Sequence, residues 1–177
     1  MNFSVSNETN KLKTVILGIA NSFGAIPNSD GCIDPKTKFF LEKGQYPLED
    51  KCILEIENFC NILIENGVSV IRPKPIKNLN QIFTRDIAFV IDNTLFEANT
   101  IYERSEEKNG IQNILNYKEG LNKIKIPKGI RVEGGDVIVN NNFLFLGYCN
   151  KRDEKLKVSR TNKKAVDFFK EVFPNKD

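Results

Sequence analysis

An α/β fold assembled from copies of one supersecondary unit is predicted by three observations. An Asp stands immediately ahead of an apolar run twice, 50 residues apart, in Arg85-Asp86-Ile87-Ala88-Phe89-Val90-Ile91 and in Glu133-Gly134-Gly135-Asp136-Val137-Ile138-Val139. Each run then meets turn residues that tolerate positive φ, Asp92-Asn93 or Asn140-Asn141-Asn142. A second apolar run follows, Leu95-Phe96 or Phe143-Leu144-Phe145, as a β-hairpin demands. Strand-like and helix-like stretches alternate around these hairpins. Self-similarity at such a period gathers like strand ends at a common centre. The carboxylates at those ends would then face one pocket.

The elements follow in chain order. Leu12 to Gly18 reads as a first strand, and Ile19 to Tyr46, rich in Gly, Pro, Asn and Asp, as a long loop of the kind that serves as a lid. Glu49 and Asp50 suit the positive end of a helix running to about Asn66. Gly67 offers its C-terminal cap, and Val68 to Arg72 resumes as a strand. After the first hairpin, Glu103 to Leu121 reads as a helix interrupted by Gly110, and Ile130 to Val132 as a strand leading into Glu133. Asn162 to Phe173 is an amphipathic helix with Ala165, Val166, Phe169, Val172 and Phe173 inward, and Pro174 ends it.

Composition sets the bounds. The chain has 177 residues, 40% of them hydrophobic, enough for a sizeable core. Twenty-six basic residues against 23 acidic ones give +3, with the lysines scattered, so charge argues for neither a nucleic-acid nor a membrane partner. No basic and apolar leader opens the chain and no long apolar run crosses it, so a cytoplasmic location is expected. Cys32, Cys52, Cys60 and Cys149 match neither a zinc nor a disulfide spacing, and the sequence contains no histidine. Reduced thiols are expected, with Cys52 and Cys60 in the core of their helix alongside Ile53, Ile56, Phe59, Leu63 and Ile64.

The carboxylates carry the chemistry. Paired glycines leave room for a flat ligand to approach the main chain between Glu133 and Asp136, although a tight turn bearing two solvated carboxylates has the same letters. Asp86 sits where the chain enters the core, a position that costs free energy unless the charge is paired or used; the plain alternative is an ion pair with Arg85. Two carboxylates from different strands, each accepting parallel N–H bonds, suit the two edges of a planar guanidinium.

The strings Asn80-Gln81-Ile82-Phe83-Thr84-Arg85-Asp86-Ile87-Ala88-Phe89-Val90-Ile91 and Val132-Glu133-Gly134-Gly135-Asp136-Val137 resemble the arginine deiminase and amidinotransferase family. Leu12-Lys13-Thr14-Val15-Ile16-Leu17-Gly18 ahead of them and Ser159-Arg160-Thr161-Asn162 after them extend the resemblance over essentially the whole chain. The resemblance implies a pentein-type α/β propeller of five ββαβ units around an acidic pocket. Residues 1–177 would be a single partial domain, an incomplete propeller of about three of the five units. It implies that Asp86 and Glu133 are catalytic, and that Asp136, Arg104, Arg160 and Phe83 bind substrate. Asp136 joins the other two carboxylates on the guanidinium, while Arg104 and Arg160 meet the substrate carboxylate; Arg152 is a rival for the second of these, and solvated surface arginines are the plain alternative.

In the family a cysteine thiolate attacks the guanidinium carbon and a histidine serves as general acid and base. This chain has no histidine, and its last cysteine, Cys149, is expected at the far end of its strand from Asp136. The expected function is therefore the N-terminal portion of an arginine deiminase-like amidinohydrolase, inactive alone. An amidinotransferase of the glycine amidinotransferase type, or a catalytically dead guanidinium-binding or interaction protein, is the alternative. Neither metal nor cofactor is implied. The expected partners are a guanidino compound such as arginine and a complementing C-terminal chain or a second copy.

Overall fold

The computed structural model describes residues 3–32, 34–116, 122–149 and 159–177, which fall into two compact units. One comprises Leu12–Phe83 and is built on a parallel strand pair. β1 (Thr14–Ile16) lies beside β2 (Ser69–Ile71) with Val15 opposite Val70. The expected loop between Ile19 and Tyr46 contains a helix instead, α1 (Pro35–Glu42). Its start was readable: the Asp34 side chain accepts from Thr37 N at 2.7 Å and Pro35 occupies the first turn, where its missing N–H costs nothing.

α2 (Glu49–Glu65) connects the two strands, and its acidic first turn and Gly67, at φ 76°, mark its ends as the sequence predicts. Its inward stripe is narrower than expected. Cys60 and Leu63 are buried, whereas Phe59 and Ile64 are about half exposed. Gln81, 2% exposed, braces the return segment by accepting from Ile76 N and donating to Lys74 O.

The other unit comprises the described parts of Met1–Lys11, Thr84–Asn150 and Ser159–Asp177. A single helical turn, α3 (Thr84–Ile87), leads into β3 (Ala88–Ile91), which pairs antiparallel with β4 (Thr94–Glu97) across a turn at Asp92, φ 50°. The segment that follows is not the expected long helix. Tyr102–Ile111 is a 3₁₀ helix and only Gln112–Leu115, α4, is α-helical; Glu-Arg-Ser-Glu-Glu-Lys offers no continuous apolar stripe to bury. The remainder of that expected helix, 117–121, lies outside the described residues.

β5 (Asn122–Lys125) then lies parallel to β4, completing a ββαβ unit in the order β3-β4-β5. No strand forms at Ile130 to Val132; Val132 makes one isolated bridge to Asn99. A 3₁₀ turn, Gly134–Asp136, next leads into β6 (Val137–Asn140), and its antiparallel partner β7 (Phe143–Leu146) follows a turn at Asn141, φ 51°. The sequence repeat is thus a structural one, a helical turn followed by a hairpin with a left-handed Asx residue at its tip.

The helix α5 (Lys163–Val172) lays Ala165 and Phe169 against both hairpins. Phe89 and Phe96 stack at 5.3 Å, and Phe169 meets them edge-on at 6.1 and 5.4 Å. Val137 and Val139 complete the same core. At the turn end of the hairpins, Val5 exchanges both backbone hydrogen bonds with Asp92, and Asn141 N donates to Ser6 O. Asp177 N donates to Asn142 O, and Lys176 Nζ reaches Asp92 Oδ1 and Asn141 O. Among the described residues no helix is long and apolar enough to cross a membrane.

Candidate functional site

The candidate site lies at the opposite end of the hairpins from those turns. α3 and the Gly134–Asp136 turn meet there, and the paired glycines make the contact possible. A Cβ on Gly134 would fall 2.1 Å from Arg85 O and 2.9 Å from Phe89 Cβ; one on Gly135 would fall 2.5 Å from Asp86 Oδ1. The space expected for a flat ligand is therefore taken by the protein's own backbone and by the Asp86 carboxylate. Gly135 N donates to Asp86 Oδ1 at 3.1 Å, which joins the two repeat starts directly.

Asp86 does not pair with Arg85. Arg85 bonds instead to Glu8 and to the carbonyls of Gly134 and Val137, while Asp86 Oδ2 accepts from Arg104 Nη1 at 2.6 Å. The same Nη1 donates to Glu133 Oε2 at 3.1 Å. The other edge of the Arg104 guanidinium forks onto Glu107, with Nε to Oε1 at 2.7 Å and Nη2 to Oε2 at 2.6 Å. Arg160 approaches Glu133 Oε2 as well, through Nε at 2.8 Å and Nη2 at 2.7 Å.

Among the described residues, three carboxylates thus face two guanidinium groups in a nearly dry cluster. The side chain of Glu133 is 3% exposed, that of Glu107 7% and that of Arg104 13%. Glu133 Oε1 is buried with no hydrogen-bond partner among the described residues.

Electrostatics follows from this packing. Burial alone would lower the pKa of Arg104, but the Glu107 fork, with Asp86 and Glu133, raises it, so the guanidinium is locked in its charged form. Arg160 is raised chiefly by its bond to Glu133. Burial pushes the carboxyl of Glu107 above the usual carboxylate range despite Arg104, and the neighbouring charges of Asp86 and Glu133 push in the same direction.

Asp136, the third expected carboxylate, turns to hydroxyls rather than to an arginine. Its Oδ2 accepts from Thr161 Oγ1 at 2.6 Å and from Ser159 Oγ at 3.1 Å. Thr161 Oγ1 accepts from Glu133 N at 3.2 Å, so one hydroxyl links the Asp136 carboxylate to the Glu133 amide. Phe83 belongs to the unit described first and is 56% exposed. Arg152 lies outside the described residues.

Cys149 is not where its expected position placed it. The antiparallel register sets Leu146 opposite Val137, Gly147 N donates to Asp136 O, and Cys149 N donates to Thr161 O. The strand end has therefore come back to the Asp136 end of the hairpin. Glu107 is the site residue that sequence reasoning missed. Its only signal was its spacing of three from Arg104 inside a run of charge, which many solvated faces share. A shallow recess of about 290 Å³ lies at the turn end, lined by Asp92, Asn142, Phe173 and Lys176, with Lys176 already bonded to Asp92.

No family model matches the chain, and no curated protein matches it in sequence. Solved structures do match in fold. SxtG, an amidinotransferase of the saxitoxin biosynthetic pathway of Microseira wollei, overlays 98% of this chain with a TM-score of 0.73 at 17% identity. The inosamine-phosphate amidinotransferase of Streptomyces griseus overlays 96% at a TM-score of 0.66 and 17% identity. A dimethylarginine dimethylaminohydrolase in adduct with S-methyl-L-thiocitrulline overlays 93% at a TM-score of 0.63 and 14% identity. The chain spans 62%, 59% and 57% of those three chains respectively. The fold is the α/β pentein fold of these enzymes.

Proposed function

We propose that this chain, which shares the pentein fold of guanidino-modifying enzymes, is the guanidinium-recognising portion of an arginine deiminase-like amidinohydrolase. The observation that carries the reading is the convergence of Asp86 and Glu133, from successive copies of one unit, on a single guanidinium, that of Arg104. Carboxylates so arranged accept together from one guanidinium nitrogen in a dry setting, where each charged bond is strong. In this reading Asp86 and Glu133 hold the guanidino group of arginine or a related compound, and Asp136, fixed by Ser159 and Thr161, supports the turn that carries Glu133. Arg160 and Arg104 serve the ligand's carboxylate.

The chemistry needs more than this chain supplies. Attack of a thiolate on the guanidinium carbon requires a proton donor for the departing amine, and no histidine is present. The thiolate and the general acid come, in this reading, from outside these 177 residues, and the protein works in the cytoplasm. Amidino transfer is the second reading, supported by the two transferases among the matched structures. The expected outcome is that the 177-residue chain binds L-arginine and releases no citrulline, measured by calorimetry and colorimetric citrulline assay. Turnover that disappears in Cys149→Ser would overturn the division of labour, and Cys149 stands at the end of the hairpin where that test matters.

A further inference from the structure

The seat that two repeat starts form for a guanidinium is already filled from within the chain. Arg104 places one edge of its guanidinium on both oxygens of Glu107, and turns Nη1 to Asp86 and Glu133 together. An incoming guanidino group would need the same acceptors.

Two features make the occupant exchangeable. Arg104 rides on the 3₁₀ segment Tyr102–Ile111, ten residues long, and 3₁₀ runs of more than a few residues have poorer hydrogen-bond geometry and often mark hinges. Glu133, 2% exposed, keeps Oε1 without a partner while Arg104 is seated, so a second donor group would gain a bond that the resident side chain does not make. Among the described residues, Asp86, Glu107 and Glu133 all face the guanidinium groups of Arg104 and Arg160, a setting suited to a cation rather than a neutral ligand.

We propose that Arg104 is the resident guanidinium of this cradle, that a guanidino ligand binds by displacing it from Asp86 and Glu133, and that the freed side chain then meets the ligand's carboxylate. The proposal rests on the guanidinium-binding reading above and adds to it a built-in competitor. Apparent affinity is reduced by the fraction of molecules in which Arg104 holds the seat, so removing the competitor tightens binding of the bare cation.

Calorimetric titration of the full chain with methylguanidine, which has no carboxylate, and with L-arginine tests this. Arg104→Ala is expected to bind methylguanidine about tenfold more tightly than wild type, a tenfold change being the step that one decade of affinity reads. Its gain for L-arginine is expected to be smaller, because the carboxylate partner is lost. Equal or weaker methylguanidine binding by Arg104→Ala overturns the displacement. Should that variant fail to fold, the wild-type protein still answers the question through the side-chain Nε–H resonance of Arg104 in ¹⁵N-labelled protein. Saturation with methylguanidine is expected to shift that resonance or abolish it as the Glu107 fork opens. Binding that leaves the resonance unchanged defeats the displacement alone. No methylguanidine binding by wild type or variant defeats both this proposal and the guanidinium reading it rests on.

Discussion

The hairpin β3–β4 and the hairpin β6–β7 are built from one pattern and buried to different degrees. In the first, seven of the eight strand residues are buried; in the second, burial alternates along β6, and Ile138, Phe143 and Phe145 are about half exposed. Both hairpins carry adjacent apolar residues, Ala88 to Ile91 and Leu95-Phe96 in the first and Val137 to Val139 and Phe143 to Leu146 in the second, so the sequence permits two covered faces in both. What differs is the cover. β5 extends the first sheet, whereas among the described residues the second sheet has two strands only. An apolar pattern states what a strand can bury, and neighbours decide what it does bury.

The strongest way to break this comparison is to truncate one Phe in each hairpin. Phe96, 0% exposed, stacked on Phe89 and met edge-on by Phe169, is expected to cost about 3–5 kcal/mol when changed to Ala, whereas Phe145→Ala is expected to fall within about 0.5 kcal/mol. Urea denaturation of both variants measures this. Equal losses would mean that a covered face has been mistaken for an open one.

The carboxylates at the two hairpin starts sharpen the same contrast. Glu133→Gln removes the buried charge that Arg160 and Arg104 share, and is expected to lower stability by about 2–4 kcal/mol. Asp136→Asn keeps an oxygen for the hydroxyls of Ser159 and Thr161 and is expected to cost about 1 kcal/mol. Thermal melts that reverse this order would show that the hydroxyl-bound carboxylate, not the arginine-bound one, organises the site.

The smallest effect is one of pH. Glu107 has a folded-state pKa raised first by burial, so its contribution to stability is fully present below the ordinary glutamate value and is lost as pH rises through the raised one. The stability of wild type relative to Glu107→Gln is therefore expected to grow as pH falls from neutrality toward that ordinary value, read by denaturant titration at several pH values. A difference that shrinks on acidification would show that the bond to Arg104 outweighs burial at Glu107.

Much of the framework was legible before any coordinates. Asp92 and Asn141 announced left-handed turns, Glu49 and Gly67 bounded α2, and the spacing of Ala165, Phe169 and Val172 placed the core face of α5, because each is a local preference acting on its own residue or turn. β5 was missed because Asn-Lys-Ile-Lys carries one apolar residue and is recruited by the edge of β4, a tertiary effect.

At the site, Asp86, Glu133, Arg104 and Arg160 were singled out, but which of them bond to one another was not legible. The pairing of Asp86 with Arg104 rather than with Arg85, and the arrival of Glu107, depend on how a polar 3₁₀ segment packs. The position of Cys149 was derivable from the register of a hairpin and was nevertheless misread.

The hairpins close over short turns, whereas residues 5 and 6 and residues 176 and 177 clasp those turns from opposite ends of the sequence. Closing loops that long is entropically dearer than closing a hairpin, and it gains little until the turns exist to be gripped. The clasp is therefore expected to form late in folding and to open early in unfolding of this unit. Its amide hydrogens will exchange with solvent before those of β3, β4 and β6, and the unit opens first at the end remote from its charged cluster.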